Sequence, residues 1–410
     1  MKTELKLFSV DYVNFKRNAH ADIYFSPELF SADSIEYNHD LARLCSQLTM
    51  IGYDLPWSEK PEPEDSGIHK VFSALGFKNI ETHSETDRNE IDCSFSSMDT
   101  IIGGEETRLV FACLVGSRRG QWYENFDSGK GKVHKGFAEC EKYVYNLLSN
   151  YIDGLKKDGK KMKILISGHS RGGATSDLLA AHLIKDENFA EAKDIFTYTF
   201  AAPAAYKGDE PKEKRFSRIF NIVNDEDFVT RCMPAEWGYE RYGITLSLPN
   251  KSNSSDFGDI LGKVNKFYAE YTEGKEYHPF KKGPKTVNKL FKKLCAAVPD
   301  IDSYYDKKFN FLGSECSVKE YFFKTLCTIT GEIPGSQENQ NGTKLMTDTF
   351  LKRYSCAGVF KTIADFFVIY EGISGATNGK ISDIYFSYGH DVCTYCAFMT
   401  AISEKELIRK

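Results

Sequence analysis

The sequence predicts an α/β fold, in which a mostly parallel central sheet is flanked by helices. Two observations support this prediction. Short apolar segments alternate with helical patterns across residues 100–235, as expected when each strand is followed by a crossover helix. Residues 109–115 and 164–166 are apolar at almost every position, which is typical of strands buried on both faces of a parallel sheet.

The other elements follow from the same two periodicities. Leucines three and four positions apart predict an amphipathic helix within residues 37–48, whereas residues 1–36 show no clear pattern. Farther along the chain, the predicted helices are 68–77, 133–154 and 173–183, and the predicted strands are 91–98, 109–115, 164–166, 195–200 and 219–223.

Residues 251–380 differ in composition from the rest of the chain. Tyrosine, phenylalanine and lysine recur there at helical spacing, and loops rich in glycine, asparagine and serine separate these patterns. We therefore expect one α/β domain built from residues 1–250 and 381–410, into which 251–380 is inserted as a helical cap. Within 285–298 an apolar stripe opposes a row of lysines, which fits either a lid helix at a lipid surface or a solvated face of the cap.

Composition argues against several classes of protein. Of the 410 residues, 41% are hydrophobic, which is enough for a sizeable core. The formal net charge of −5 argues against a general nucleic-acid binder. No apolar run reaches the ~18 residues of a membrane span, so we expect no transmembrane segment. No signal peptide is visible; the chain as it stands is expected to be cytoplasmic, or secreted where such a peptide has been removed.

The cysteines do not form a metal-binding pattern. There are 11 of them, scattered singly apart from Cys393 and Cys396. Neither a second C-x-x-C nor a suitably spaced pair of histidines accompanies these two, so a zinc site is not predicted. We expect mostly free thiols in a reducing compartment, and no metal site.

A G-x-S-x-G motif at Gly168–Gly172 lies between a predicted strand and a predicted helix. A strand, a tight turn and a helix are what a nucleophilic serine requires, because the serine must project from a strained turn. Such a serine needs a base, and the base needs an acid to orient it. Asp225 and Asp227 follow a later strand, and beyond them the sequence contains two histidines, His278 and His390.

Here the sequence resembles the class 3 lipase family, the α/β-hydrolases of the fungal triglyceride lipase type. Five segments carry the resemblance, and they occur in the family's order. They are Val115–Ser117 followed by Trp122, Val133–Phe137 (V-H-x-G-F), Gly168–Gly173 (G-H-S-x-G-G), Asp227–Pro234 and His390–Tyr395. The resemblance covers about half of the chain, and the long gap between the last two segments is filled by the predicted cap.

The resemblance implies a role for five residues. Ser170 would be the nucleophile, Asp227 the acid and His390 the base. The backbone N–H groups of Ser117 and Arg171 would form the oxyanion hole, assisted by the Ser117 hydroxyl. No metal or cofactor is implied. The family's activity implies a serine carboxylic-ester hydrolase, a lipase or esterase, whose substrate is an ester or lipid and which makes transient contact with a lipid surface.

Alternatives remain open from the sequence. Asp225 is the rival acid, and His134 and His169 are interpreted as structural residues. Val115 and Thr230 depart from the family pattern, which leaves substrate placement less certain than catalysis. Arg171 fits a contact with an anionic substrate or, more simply, a surface or helix-terminal salt bridge. The same residues fit a phospholipase or an acyltransferase, and a non-catalytic, hydrolase-like binding protein is the alternative from another class.

Overall fold

The structure is a computed structural model. It describes residues 5–14, 17–54, 66–84, 90–117, 125, 127–155, 158–227, 229–231, 233–279, 285, 292, 308–311, 314–317 and 389–410. Within these ranges, no helix combines the length and the apolar character needed to cross a bilayer.

The described part of the chain contains both strands and helices, and they alternate between Glu105 and Phe200. The strands are β1 (Lys6–Asn14), β2 (Arg17–Phe25), β3 (Lys78–His83), β4 (Cys93–Ile102), β5 (Glu105–Leu114), β6 (Lys161–His169), β7 (Ile195–Phe200), β8 (Tyr206–Lys207), β9 (Ile219–Val223), β10 (Tyr239–Glu240), β11 (Ile244–Ser247), β12 (Lys308–Phe311), β13 (Ser314–Ser317) and β14 (Ile408–Arg409). The α-helices are α1 (His39–Gly52), α2 (Gly67–Ala74), α3 (Lys135–Gly154), α4 (Arg171–Asp186), α5 (Phe257–Tyr271) and α6 (Val392–Ala401).

The centre of the fold is an eight-stranded mixed sheet with the strand order β14-β11-β9-β7-β6-β5-β4-β3. The strands from β5 to β11 in this order run parallel to one another, and the antiparallel pairs lie toward the two edges. The predicted α/β fold with a mostly parallel sheet is therefore confirmed. The remaining strands pair in three small two-stranded sheets, β1 with β2, β8 with β10 and β12 with β13.

Both faces of the central strands are buried. Successive side chains of a strand point to opposite faces of the sheet, so Leu165 of β6 packs in one apolar cluster while Ile164 and Ile166 pack in another. Helices α1, α5 and α6 cover the first face, and helices α3 and α4 cover the second. This packing explains why the central strands are apolar without alternation.

Helix α5 lies within the predicted cap, yet its apolar stripe packs in the main core. Phe257, Ile260 and Val264 belong to the same apolar cluster as α1 and α6. The β12–β13 hairpin is also part of this region, where the sequence indicated helices alone. The rest of the predicted cap, with the candidate lid helix at 285–298, lies mostly outside the described residues and stays a prediction.

Helix α4 carries a buried carboxylate that makes stability depend on pH. Asp177 is fully buried, and one of its oxygens accepts a hydrogen bond from the backbone N–H of Tyr242 at 2.9 Å. Burial raises the pKa of Asp177 from 3.8 to about 7. In the unfolded chain this carboxyl loses its proton near pH 4, whereas the folded protein keeps it up to about pH 7. The folded state thus binds one more proton in this window, and stability falls as the pH rises through it.

We expect Asp177→Asn to remove this pH dependence. The asparagine keeps an oxygen for the Tyr242 N–H but never ionises. The free energy of unfolding of the variant, relative to that of the wild type, should therefore increase as the pH rises from about 4 to 7. The expected gain is on the order of 3 kcal/mol. Urea unfolding of both proteins at several pH values measures it. Two curves that stay parallel across this window would show that Asp177 is not the titrating group.

Candidate active site

Ser170 occupies the turn between β6 and α4 in a strained conformation. Its backbone angles are φ 59° and ψ −124°, a region that non-glycine residues rarely adopt. The turn is fixed on both sides, because the Ser170 N–H donates to the Phe200 carbonyl at 2.9 Å and the Ser170 carbonyl accepts from the Ala174 N–H at 3.0 Å. In this conformation the Ser170 side chain projects from a tight turn between the strand and the helix, as a nucleophile elbow requires.

The two outer glycines of the motif are required by contact distances. A Cβ atom on Gly168 would lie 2.3 Å from the Gly172 carbonyl oxygen. A Cβ atom on Gly172 would lie 2.6 Å from the carbonyl oxygens of both Leu114 and Val115. The start of α4 therefore packs directly against the ends of β5 and β6. A larger residue at Gly172 would push α4 away from β5, and one at Gly168 would push it away from β6.

The structure brings together the three residues that the resemblance implies for the triad. The ring of His390 lies between the other two, with Nε2 at 2.9 Å from Ser170 Oγ and Nδ1 at 2.9 Å from Asp227 Oδ2. Since a carboxylate only accepts, Nδ1 carries the proton and donates to Asp227. The unprotonated Nε2 then accepts the hydrogen bond from the Ser170 hydroxyl. Asp227 is fully buried and the His390 side chain is 17% exposed.

Two further donors fix the Asp227 carboxylate. The Tyr395 hydroxyl donates to Oδ2 at 2.8 Å, and the Val229 N–H donates to Oδ1 at 2.8 Å. Tyr395 itself accepts from the Asn224 N–H at 2.9 Å. Sequence reasoning assigned Tyr395 to the last family segment without giving it a role. Tyr395 lies five residues after His390, in the first turn of α6, and from there its hydroxyl contacts the Asp227 carboxylate.

The rival residues lie elsewhere. Asp225 accepts hydrogen bonds from Arg231 and Ser247, each at 3.3 Å, and from Lys410. These partners, and not His390, bind the Asp225 carboxylate in the hydrogen bonds observed. His278 is exposed. Of the two aspartates left open by the sequence, Asp227 is the one hydrogen-bonded to His390.

Ser117 lies at the end of β5, next to the elbow. A Cβ atom built on the preceding Gly116 would lie 3.1 Å from the Cβ of Ser170, which shows how closely the two segments approach. The side-chain amide of Asn125 donates to Ser117 Oγ at 2.7 Å. Sequence patterns suggest no function for Asn125, because no periodicity relates it to Ser117.

Arg171 is the first residue of α4, so its backbone N–H lies at the helix N-terminus, where N–H groups have no intrahelical partner. Its side chain is buried, so the expected surface salt bridge is wrong. The residue is only 1% exposed, and its guanidinium donates to Cys140 Sγ of α3 through Nε at 3.2 Å and Nη2 at 2.7 Å. Packing of α3 against α4 buries the guanidinium between the helices, where it is directed to this sulfur. The same burial argues against a contact with an anionic substrate.

His134 is a buried residue of the V-H-x-G-F segment. Its ring stacks on Phe137 with 4.0 Å between centroids, and burial lowers its pKa to about 3. It is therefore neutral and packed at physiological pH. Cys393 and Cys396 are both buried on α6. Among the described residues, no group of three or more His, Cys, Asp and Glu side chains is arranged to bind a metal ion.

Comparison with known proteins gives an independent view of the same region. Residues 108–237 match the class 3 lipase family. A lipase of Rhizomucor miehei is 34% identical over 128 residues, which cover 29% of this chain and 34% of that lipase. The chain thus matches about a third of the length of this curated relative.

Solved structures of fungal lipases are also similar. The Rhizomucor miehei triacylglyceride lipase is 22% identical, with a TM-score of 0.38 over 52% of this chain and 80% of that one. Lipase II of Rhizopus niveus is 15% identical, with a TM-score of 0.37 over 52% and 82% of the two chains.

The order of the parts agrees with the family match. Ser170 follows a central parallel strand, Asp227 follows a later strand and His390 comes last, which is the chain order of an α/β-hydrolase. The resemblance to the class 3 lipase family is thus confirmed over residues 108–237, within an α/β-hydrolase fold.

Proposed function

We propose that the chain is a serine carboxylic-ester hydrolase of the lipase or esterase type. The observation that carries this proposal is the hydrogen-bonded series from Ser170 through His390 to Asp227, with Ser170 in a strained strand-to-helix turn. A serine hydroxyl is a weak nucleophile until a base accepts its proton. The arrangement supplies the base at 2.9 Å and the acid behind it, both largely removed from water.

The reaction follows from these contacts. Ser170 Oγ attacks the ester carbonyl carbon while its proton passes to Nε2 of His390. Asp227 accepts the Nδ1–H bond and stabilises the imidazolium that forms. When the C–O bond of the tetrahedral intermediate breaks, the imidazolium gives this proton to the leaving alcohol. The ring then takes a proton from water as the water oxygen attacks the acyl-serine, and it returns that proton to Ser170 Oγ when the C–Oγ bond breaks and the carboxylic acid leaves.

The oxyanion is assigned to the backbone N–H groups of Ser117 and Arg171. The close approach of the segment before Ser117 to the Ser170 turn supports this assignment. Asn125 supports a third donor, because its amide donates to Ser117 Oγ. A hydroxyl oxygen that accepts this bond still has its own proton to donate, and the oxyanion would receive it.

We infer the substrate class from the family match and from the predicted cap. A family match to lipases, together with a long predicted insertion before the base, favours acyl esters of lipids whose access is restricted by the cap. Short-to-medium acyl esters would be the most readily hydrolysed soluble substrates, with transient contact at a lipid surface for longer ones. A chain-length series of p-nitrophenyl esters measures this preference directly.

The test of the function is active-site labelling. We expect a fluorophosphonate to modify Ser170 and, at any comparable rate, no other serine, because only an activated serine reacts rapidly. Ser170→Ala should abolish both labelling and ester hydrolysis. Ser167→Ala is the matched control, since Ser167 is a buried serine three residues upstream whose hydroxyl accepts from Thr49 at 3.2 Å. Labelling that survives Ser170→Ala, or its absence from folded wild type, would count against an ester hydrolase.

A further inference from the structure

His169 precedes the serine and contacts the base from behind. Its Nε2 lies 2.8 Å from the backbone carbonyl oxygen of His390, and its Nδ1 lies 2.8 Å from the hydroxyl of Tyr53. Both His169 and Tyr53 are buried. The two histidine rings are 4.8 Å apart between centroids. His169 therefore joins the turn of the nucleophile to the backbone of the base.

The chemistry of the partners fixes the direction of every bond in this series. A carbonyl oxygen only accepts, so His169 donates through Nε2–H to His390. Burial lowers the pKa of His169 well below its usual value, and the neighbouring His390 lowers it further, so the ring is neutral. Its Nδ1 then carries no proton and accepts from the Tyr53 hydroxyl. Tyr53 in turn accepts from the Gly116 N–H at 3.0 Å.

The series ends beside the candidate oxyanion hole, since Gly116 precedes Ser117. A Cβ atom on Gly116 would lie 2.2 Å from the Tyr53 hydroxyl oxygen, so this position must be glycine for the hydroxyl to reach the backbone. One hydrogen-bonded path thus links the end of β5, the end of α1, the serine turn and the base.

The backbone of the base is bound at two successive carbonyls. His390 accepts from His169, and Gly389 accepts from the Asn224 side-chain amide at 3.2 Å. Asn224 belongs to the loop that carries the acid, and His169 belongs to the turn that carries the nucleophile. The segment of the base is therefore anchored by side chains from the elements of both of its partners.

The neutral state of His169 also matters for charge. When His390 takes the serine proton it becomes a cation, and a second cation 4.8 Å away would oppose that step. A buried, neutral imidazole that donates to a carbonyl binds the backbone without adding charge. This explains why a histidine can lie so close to the base.

We propose that His169, itself oriented by Tyr53, is a positioning residue for the catalytic base. Its bond to the His390 carbonyl keeps the His390 ring between Ser170 and Asp227. This inference rests on the proposed ester hydrolysis and assigns a role to a residue that the sequence indicated as merely structural. A base displaced by about 1 Å typically costs a factor of about 100 in rate.

Three variants separate the two bonds of His169. The amide of glutamine reaches the place of Nε2, so His169→Gln keeps a donor for the His390 carbonyl. The amide of asparagine reaches only the place of Nδ1, so His169→Asn keeps the Tyr53 contact and loses the bond to His390. Tyr53→Phe removes the hydroxyl alone. Tyr198→Phe is its matched control, because the buried Tyr198 hydroxyl also accepts a backbone N–H, from Asn38 at 3.1 Å.

We expect His169→Asn to lower kcat on a short p-nitrophenyl ester by about 10- to 100-fold with KM unchanged, and His169→Gln to restore most of the rate. Tyr53→Phe should lower kcat more than Tyr198→Phe does. In proton NMR, the deshielded proton between His390 and Asp227 should broaden or disappear in His169→Asn and return in His169→Gln. If His169 had a purely structural role, its replacement would lower Tm, and His169→Asn and His169→Gln would not differ in kcat or in this NMR signal.

The outcomes distinguish the two proposals. If folded wild type neither hydrolyses esters nor is labelled at Ser170, the ester hydrolase and this inference are both wrong. If the wild type is active and folded His169→Asn keeps its kcat, only the positioning role is wrong. Should His169→Asn fail to fold, Tyr53→Phe decides: a fall in kcat beyond that of Tyr198→Phe supports positioning, and equal values overturn it.

Discussion

Replacing His390 by alanine is expected to lower kcat by roughly three to six decades, the range found when one member of such a triad is removed. The reason is local and chemical. Nε2 of His390 is the acceptor at 2.9 Å from Ser170 Oγ, and without it the serine proton has no base to receive it. KM should change far less, because the ring forms hydrogen bonds to Ser170 and Asp227 and is not assigned a contact with the substrate.

The matched control is His278→Ala. His278 is exposed and lies in the segment that follows α5, and its loss should leave kcat within about twofold of the wild-type value, as is usual for surface substitutions. Steady-state hydrolysis of a soluble p-nitrophenyl ester measures both variants, and the fluorophosphonate labelling rate repeats the comparison without turnover. A large loss in His278→Ala with little in His390→Ala would overturn the assignment of the base.

The sequence could predict the parts of the site that depend on local pattern. The strands 195–200 and 219–223 are observed with the predicted bounds, because apolar and β-branched side chains dominate both short segments, as strands favour. The G-x-S-x-G turn was predictable for a similar reason, since its glycines are dictated by close backbone contacts within a few residues and with β5.

The supporting contacts could not be predicted, because they join residues far apart in the chain. Tyr53 meets His169 across 116 positions, and Tyr395 meets Asp227 across 168. No periodicity encodes such pairs, and a tyrosine in an apolar helix has the same pattern whether or not its hydroxyl reaches a catalytic group. The choice between Asp225 and Asp227 was open for another reason, since two residues of one turn differ only in the direction of their side chains.

Burial of the Arg171 side chain was missed for a related reason. A charged residue at the start of a helix is most often solvated, and the sequence does not show that α3 lies across it. Helix α5 belongs to the predicted cap by its composition, and its apolar stripe packs against α6, a contact that the composition does not reveal. In both cases the partner element, and not the local sequence, determines the environment.

Asp227→Asn is expected to lower kcat by about four decades while leaving the fold intact. The hydrogen-bond pattern around the carboxylate explains why so small a change has so large an effect. Val229 donates its N–H to Oδ1, Tyr395 donates to Oδ2, and Nδ1 of His390 lies 2.9 Å from Oδ2 and 3.1 Å from Oδ1. An asparagine has a single oxygen, and that oxygen is best used by the Val229 N–H. Its NH₂ group then faces His390 Nδ1 and donates to it.

That reversal changes the tautomer of the base. Once Nδ1 accepts, the proton of the neutral ring moves to Nε2, and an Nε2–H cannot accept the proton of Ser170. The control is Asp225→Asn, which disturbs the contacts with Arg231 and Lys410. This variant should have a lower Tm and a kcat close to that of the wild type. Steady-state kinetics and thermal unfolding of both variants give the comparison. If kcat fell by about four decades in Asp225→Asn and not in Asp227→Asn, the acid would be Asp225. The hydrogen bonds that join Asp227 to His390 would then have only a structural role.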